Sequence, residues 1–228
     1  MESRDRLIIA LDLDDQVAAM RLALALRPYF AIAKVGLELF TATGPSIVYS
    51  LREAGFKVFI DLKLHDIPTT VNRSARVLGS LGPSFATLHC SGGVEMLKAG
   101  VSGLMEGSSN AQEELPIALG VTVLTSEPEA SSELVRGRVS MALAAGCQGY
   151  VAAAGDLVQT REVAPSLLAV VTGVREAGAS SDDQRRPSSA IEAFRSGADF
   201  LVLGRTVTGS ADPVAAAARL LAGLEGQN

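Results

Sequence analysis

Lys57-Val58-Phe59-Ile60-Asp61-Leu62-Lys63 is a run of branched and aromatic residues that ends in alternating charge. At a strand's period of two, Phe59, Asp61 and Lys63 share one face, and Val58, Ile60 and Leu62 share the other. The second face is wholly apolar and must meet packed helices. Asp61 and Lys63 are therefore expected to point inward, at the C-terminal end of their strand. Asp66 follows on the loop leading into Ile67-Pro68.

Short apolar runs of the same kind recur on both sides. Strands are predicted at 7–12, 31–35, 58–62, 86–89, 118–124, 149–152, 169–172 and 200–203. Helical patterns fill the gaps at 15–26, 46–54, 69–81, 94–107, 131–145 and 188–196, and 213–221 closes the chain. The link between the sixth and seventh strands, around 156–164, is shorter. Gly55, Gly82, Gly146 and Gly197 each stand just past a predicted helix, where a left-handed cap is wanted. Asp212-Pro213 pairs an N-cap with a first helical position. Eight such units without a composition shift predict a single-domain α/β fold, the TIM (β/α)8 barrel, spanning 1–228. Residues 176–187 are the exception to short connections, being polar, small and a dozen long. They read as a plain solvated loop or, following a barrel strand, as a lid over the mouth.

Composition narrows the function. Of 228 residues 48% are hydrophobic, enough for a large core, and the net charge of −5 argues against a general polyanion binder. Trp is absent and aromatics make up 4% of the chain, which removes the usual stacking platforms for single-stranded nucleic acid. The only cysteines, Cys90 and Cys147, lie in apolar stretches and read as buried free thiols in a reducing cytosol. The first apolar run is broken by Asp12 and is too short for a signal segment, and no later segment suits a membrane span. A cytoplasmic protein is expected.

Charge intrudes at two further strand ends: Lys34 interrupts Ala31-Ile32-Ala33-Lys34-Val35-Gly36, and Asp12 holds the same relative place on the first strand. Charged residues are seldom buried unpaired, and two lysines with two aspartates can satisfy one another. The chain has only four lysines, so two at strand ends carry weight. A salt-bridge network that merely closes the barrel is one reading. A catalytic cluster is the other, favoured by its location at the C-terminal mouth. His65 suits a core or loop role, and His89, ending the fourth strand, can line the pocket. Two histidines support a zinc site only weakly.

Barrels often bind phosphate on the loops after strands seven and eight. Here those strands end in Thr172-Gly173-Val174-Arg175 and Leu203-Gly204-Arg205-Thr206. Glycine lets backbone N–H groups approach an anion, and arginine supplies a bidentate charge. Gln184, within 176–187, adds an uncharged donor. A small phosphorylated substrate follows.

Together these residues resemble the orotidine 5′-phosphate decarboxylase family, from about Arg6 to the last helix. The segment from Phe59 to Val71 is similar to the family signature nearly residue for residue, and Leu11-Asp12, Lys34-Val35-Gly36, Leu88-His89 and Val121-Thr122-Val123-Leu124-Thr125-Ser126 also match. The resemblance implies conversion of orotidine 5′-phosphate to uridine 5′-phosphate, the last step of pyrimidine biosynthesis, with no cofactor and no metal. It makes Lys63 the proton donor to pyrimidine C6 and sets Asp61 beside the substrate carboxylate. Lys34 and Asp66 complete the charge network, and Lys34 and Asp12 touch ribose hydroxyls. Thr125 or Ser126 meets the pyrimidine edge, while Arg205, the Gly204 backbone, Gln184 and Arg175 hold the phosphate side. It also implies a homodimer in which Asp66, Ile67 and Thr70 reach the neighbouring subunit's site. Two departures stand out: the seventh strand lacks the family's proline before Arg175, and Asp182-Asp183-Gln184 replaces the usual Gly-Asp-Gln.

Sugar-phosphate decarboxylases and aldolases of the same superfamily share Asp-x-Lys-x-x-Asp but hold magnesium, typically with a Glu ending the second strand. Lys34 stands there instead, and an ammonium repels a divalent cation. A ribulose-phosphate epimerase would need a histidine at that strand end, and this sequence has none there. A non-catalytic nucleotide sensor has no need of so costly a charged cluster.

Overall fold

The computed structural model describes residues 2–124, 127, 130–174 and 189–226. Eight parallel strands close into a barrel in the order β1 to β8. They are β1 Leu7–Ala10, β2 Ile32–Gly36, β3 Lys57–Leu64, β4 Phe85–His89, β5 Ile117–Val121, β6 Gly149–Ala153, β7 Leu168–Thr172 and β8 Phe200–Leu203. The helices are α1 Gln16–Leu26, α2 Leu37–Thr43, α3 Ser46–Glu53, α4 Pro68–Gly79, α5 Gly93–Asn110, α6 Ser132–Ala144, α7 Leu157–Val163, α8 Ala190–Arg195, α9 Arg205–Thr208 and α10 Pro213–Glu225. Among the described residues, no helix is long and apolar enough to cross a membrane.

The expected TIM barrel is what the chain forms, with shifts at element ends. β1 stops at Ala10, so Asp12 lies beyond the strand, and β5 stops at Val121 rather than reaching Leu124. Thr122 closes that strand by directing both its N–H and its hydroxyl to the Val151 carbonyl, at 3.2 and 2.8 Å. Two short helices, α2 and α9, went unpredicted because seven and four residues give too little periodicity. The expected caps are present. Gly55, Gly82, Gly146 and Gly197 take positive φ, and the Asp212 carboxylate accepts from the Ala215 N–H before Pro213. The predicted lid, 176–187, lies outside the described residues.

Alternation along the strands makes two apolar layers. Ile8, Ala10, Ile32, Phe59, Phe85, Leu119, Val121, Val151, Val170, Phe200 and Val202 fill the barrel interior. Phe85 sits between Phe59 and Phe200 there, with centroids 5.8 and 5.3 Å away. The residues of opposite parity, such as Leu7, Ile9, Ala33, Val35, Val58 and Ile60, pack against the helices. Asp12, Lys34 and Asp61 share the parity of Ala10, Ile32 and Phe59. The chain therefore aims them at the barrel axis, above an apolar plug.

Arginines hold the opposite, N-terminal end together by capping carbonyls where helices run into strands. Arg6 donates to Ala198 O and Asp199 O while stacking 4.0 Å over the Phe194 ring. Arg27 donates to Ala54 O at 2.6 Å and Arg52 to Leu81 O at 2.8 Å. Arg161 donates to Leu167 O and Gly197 O and pairs with Asp199. On the flank, α4 and α5 touch backbone to backbone. A Cβ at Gly103 would overlap the Asn72 carbonyl, and one at Gly107 would overlap the Arg76 carbonyl. This contact anchors the helix that begins at the site loop.

Gly107→Ala is expected to lower the free energy of unfolding by about 1–3 kcal/mol through overpacking, despite a gain of about 1 kcal/mol in helix propensity. A urea midpoint unchanged or raised at constant m contradicts the backbone contact. Burial pushes both Cys90 and Cys147 thiols from 9.0 up to about 12. Neither is expected to react with a disulfide reagent at mildly alkaline pH until the chain is unfolded. Unfolded thiols lose their protons first, so stability should decline as pH rises between about 9 and 12.

Candidate active site

Four charges meet at the C-terminal mouth. Lys34 Nζ lies 3.2 Å from Asp12 Oδ1 and 3.6 Å from Asp61 Oδ2, and Lys63 Nζ lies 2.9 Å from the same Asp61 oxygen. The chain of pairs Asp12–Lys34–Asp61–Lys63 alternates in sign and is neutral overall. The side chains of Lys34 and Asp61 are 9% and 11% exposed, against 57% for Asp12. Register supports this grouping, because Lys34 pairs with Ala10 and with Phe59, and Gly36 with Asp61. A Cβ at Gly36 would stand 3.2 Å from Lys34 Nζ and 3.3 Å from Asp12 Oδ1, so the glycine leaves room for that ion pair.

Lys63 reaches the cluster on a backbone that is not that of a regular strand. Side chains alternate through Leu64, but β3 and β4 shift register between Ile60 and Leu64. Lys63 takes φ of +50°, a conformation that costs a side-chain-bearing residue about 1–3 kcal/mol. Its N–H donates to Thr87 Oγ1 at 2.8 Å, and the Thr87 hydroxyl donates to Asp61 Oδ1 at 3.1 Å. Leu62 and Leu64 pack on the outer apolar layer. The bulge thus turns the lysine inward while its leucine neighbours face the helices.

The loop after β3 behaves differently. His65, Asp66, Ile67, Pro68, Thr69 and Thr70 are all exposed, Ile67 to 67%. Asp66 accepts from the Ile67 N–H at 2.7 Å, and no ion pair links it to the lysines of its own chain among the described residues. Within one chain the network therefore runs from Asp12 to Lys63. The His65 ring stacks on His89, centroids 5.5 Å apart. His89 is buried, and its Nδ1 accepts from the Ser91 N–H at 3.3 Å with Ser91 Oγ at 2.6 Å. Burial, then the nearby His65 and Arg138, hold its pKa below the ordinary 6.5, so the ring is neutral at pH 7.

At the phosphate side, half-buried Gly204 precedes exposed Arg205, the first residue of α9, and Thr206 Oγ1 donates to Val174 O at 3.0 Å. That bond ties the end of β8 to the end of β7. Arg175 and Gln184 lie outside the described residues, as do Thr125 and Ser126. Among the described residues after β5, Arg138 donates to Thr122 O at 2.6 Å and pairs with Glu127 at 3.6 Å. A cleft of about 580 Å³, lined by Cys90, Ser91, Ser131, Glu133, Arg138 and Met141 among others, opens next to it. The sequence reading missed Thr87 and Arg138. A threonine inside an apolar strand and an arginine on a helix carry no pattern that marks them, and only strand register or loop geometry could have done so.

Comparison with known proteins follows the same lines. The model of the Orotidine 5′-phosphate decarboxylase / HUMPS family matches residues 5–220. The orotidine 5′-phosphate decarboxylase of Moorella thermoacetica is 40% identical over 99% of this chain and 94% of its own length. That of Anaeromyxobacter sp. (strain K) is 40% identical over 98% of this chain and 100% of its own. Among solved structures, the orotidine 5′-phosphate decarboxylase from Lactobacillus acidophilus superposes with a TM-score of 0.80 at 31% identity, covering 95% of this chain and 97% of that one. With a closed barrel, inward charges at its mouth and matches along nearly its whole length, this chain belongs to the Orotidine 5′-phosphate decarboxylase / HUMPS family.

Proposed function

We propose that the protein decarboxylates orotidine 5′-phosphate to uridine 5′-phosphate, the last step of de novo pyrimidine biosynthesis, using side chains alone. The observation that carries this reading is the Lys34 ammonium lodged between the Asp12 and Asp61 carboxylates. In a magnesium-dependent sugar-phosphate enzyme of the same superfamily, a divalent cation would need those carboxylates, and here a fixed positive charge already spans them. That observation disfavours the magnesium chemistry.

The C6–carboxylate bond breaks with its electron pair left on C6, and CO₂ departs. The Lys63 ammonium stabilises that charge as it develops and then transfers a proton to C6, to be reprotonated from solvent. Asp61 fixes the ammonium on one side and faces the substrate carboxylate on the other. Lys34 and Asp12 engage ribose hydroxyls, and Thr125 or Ser126 meets the base. Arg175, Gln184, the Gly204 N–H and Arg205 take the phosphate. Binding energy from the phosphate end is thereby available to assemble the charged end.

The exposed run 65–70 supports a homodimer in which Asp66, Ile67 and Thr70 enter the partner's site. An isolated chain would leave an exposed Ile67 and an aspartate directed only at its own loop. Two buried thiols suit a reducing cytosol.

Purified protein is expected to deplete the orotate absorbance of orotidine 5′-phosphate in EDTA. Turnover only of a sugar phosphate, and only with magnesium, would sink the assignment. Lys63→Ala should lower kcat by about 10²–10⁴-fold or more while 6-azauridine 5′-phosphate still binds. Substantial residual kcat removes Lys63 as donor. Mixing inactive Lys63→Ala and Asp66→Asn dimers, with subunit exchange, should restore about a quarter of wild-type activity through one intact site per heterodimer. No recovery despite demonstrated exchange means that Asp66 serves its own chain.

A further inference from the structure

β4 faces the reacting segment of β3 with a single residue. The strands pair at Ile60 with Ala86 and resume at Leu64 with Leu88, so residues 61, 62 and 63 lie opposite Thr87 alone. In that gap Lys63 loses a regular ladder partner for its N–H, and the Thr87 hydroxyl replaces it. Thr87 is 1% exposed, so solvent is not at hand to substitute for it.

A hydroxyl has one proton and spare lone pairs. Here the proton goes to Asp61 Oδ1, and a lone pair takes the Lys63 N–H. Asp61 Oδ2 is left to the two ammonium groups, at 2.9 and 3.6 Å. One side chain thus grips the backbone of the lysine and the carboxylate of the aspartate together. We propose that Thr87 is a positioning residue for the decarboxylation, holding Lys63 in its positive-φ conformation and fixing Asp61 against it. The proposal rests on the decarboxylase reading of this site.

Removing the hydroxyl leaves a buried N–H without an acceptor and frees one carboxylate oxygen to turn. The strained Lys63 backbone then has less to hold it, and the ammonium drifts from C6. Such a displacement acts on the chemical step more than on nucleotide affinity, because phosphate and base are held elsewhere.

The test compares full-length wild type, Thr87→Val, Thr87→Ala and Thr87→Ser for kcat and KM with orotidine 5′-phosphate, 6-azauridine 5′-phosphate affinity and thermal unfolding. Thr87→Val conserves shape, and its kcat is expected to fall about ten- to a hundredfold, with KM and inhibitor affinity within about threefold. Thr87→Ser, which restores the hydroxyl, should keep kcat within about threefold of wild type. Should Thr87→Val fail to fold, Thr87→Ala is read by the same criteria. Unchanged kcat in the variants lacking the hydroxyl overturns the proposal. So does a loss confined to KM, or a Ser variant as impaired as Val, which would assign the effect to the methyl group. Wild type inactive on orotidine 5′-phosphate overturns the activity reading and this one with it, whereas an active wild type with an indifferent Thr87→Val overturns this one alone.

Discussion

Burying the Lys34 ammonium is the constraint on which the mouth of the barrel depends. Taking a charge out of water costs several kcal/mol, and attraction to partners recovers it only when they are placed well. Lys34 is flanked by Asp12 from the end of β1 and by Asp61 from β3, the strands on either side of it. Gly36 leaves the space in which the pair forms. Asp61, once placed, organises Lys63 in turn. A network of this kind contributes little to stability compared with apolar packing, and its last member sits on a strained backbone. That combination is what a reactive site costs a fold, and a purely structural closure of the barrel has no use for it.

Parity in the strands made most of this readable in advance. Ile32 and Lys34, like Phe59 and Asp61, share a face, so any reading that sends Ile60 and Val58 to the helices sends the charges to the axis. The capping glycines and Asp212-Pro213 marked their boundaries for equally local reasons. What parity could not supply was the irregular backbone. Nothing in Asp61-Leu62-Lys63 announces a register shift against β4 or a positive φ, because both depend on how two strands pair. The inward direction of Lys63 follows the alternation, whereas its positive φ and its pairing do not.

Other gaps have similar origins. Helices α2 and α9 are too short to show a period. The resemblance adds Asp66 to the charge network, and only the folded loop shows its carboxylate accepting from the next N–H of its own chain. Thr87 and Arg138 act through contacts between elements distant in sequence, where residue type alone is uninformative. The family resemblance and the physical reading fit the barrel together. They part company where side chains depend on a neighbouring strand.

The arginine caps at the far end of the barrel give the molecule two poles with different tolerances. Arg6, Arg27, Arg52 and Arg161 close the helix-to-strand turns at one pole, while Asp12, Lys34, Asp61 and Lys63 occupy the other. Between them lies the aromatic plug of Phe59, Phe85 and Phe200. Because sites this far apart with no shared partners contribute almost additively, robustness can be gained at one pole without retuning the other. Directed evolution of a new substrate range could then begin by reinforcing the turns, and only afterwards disturb the charges.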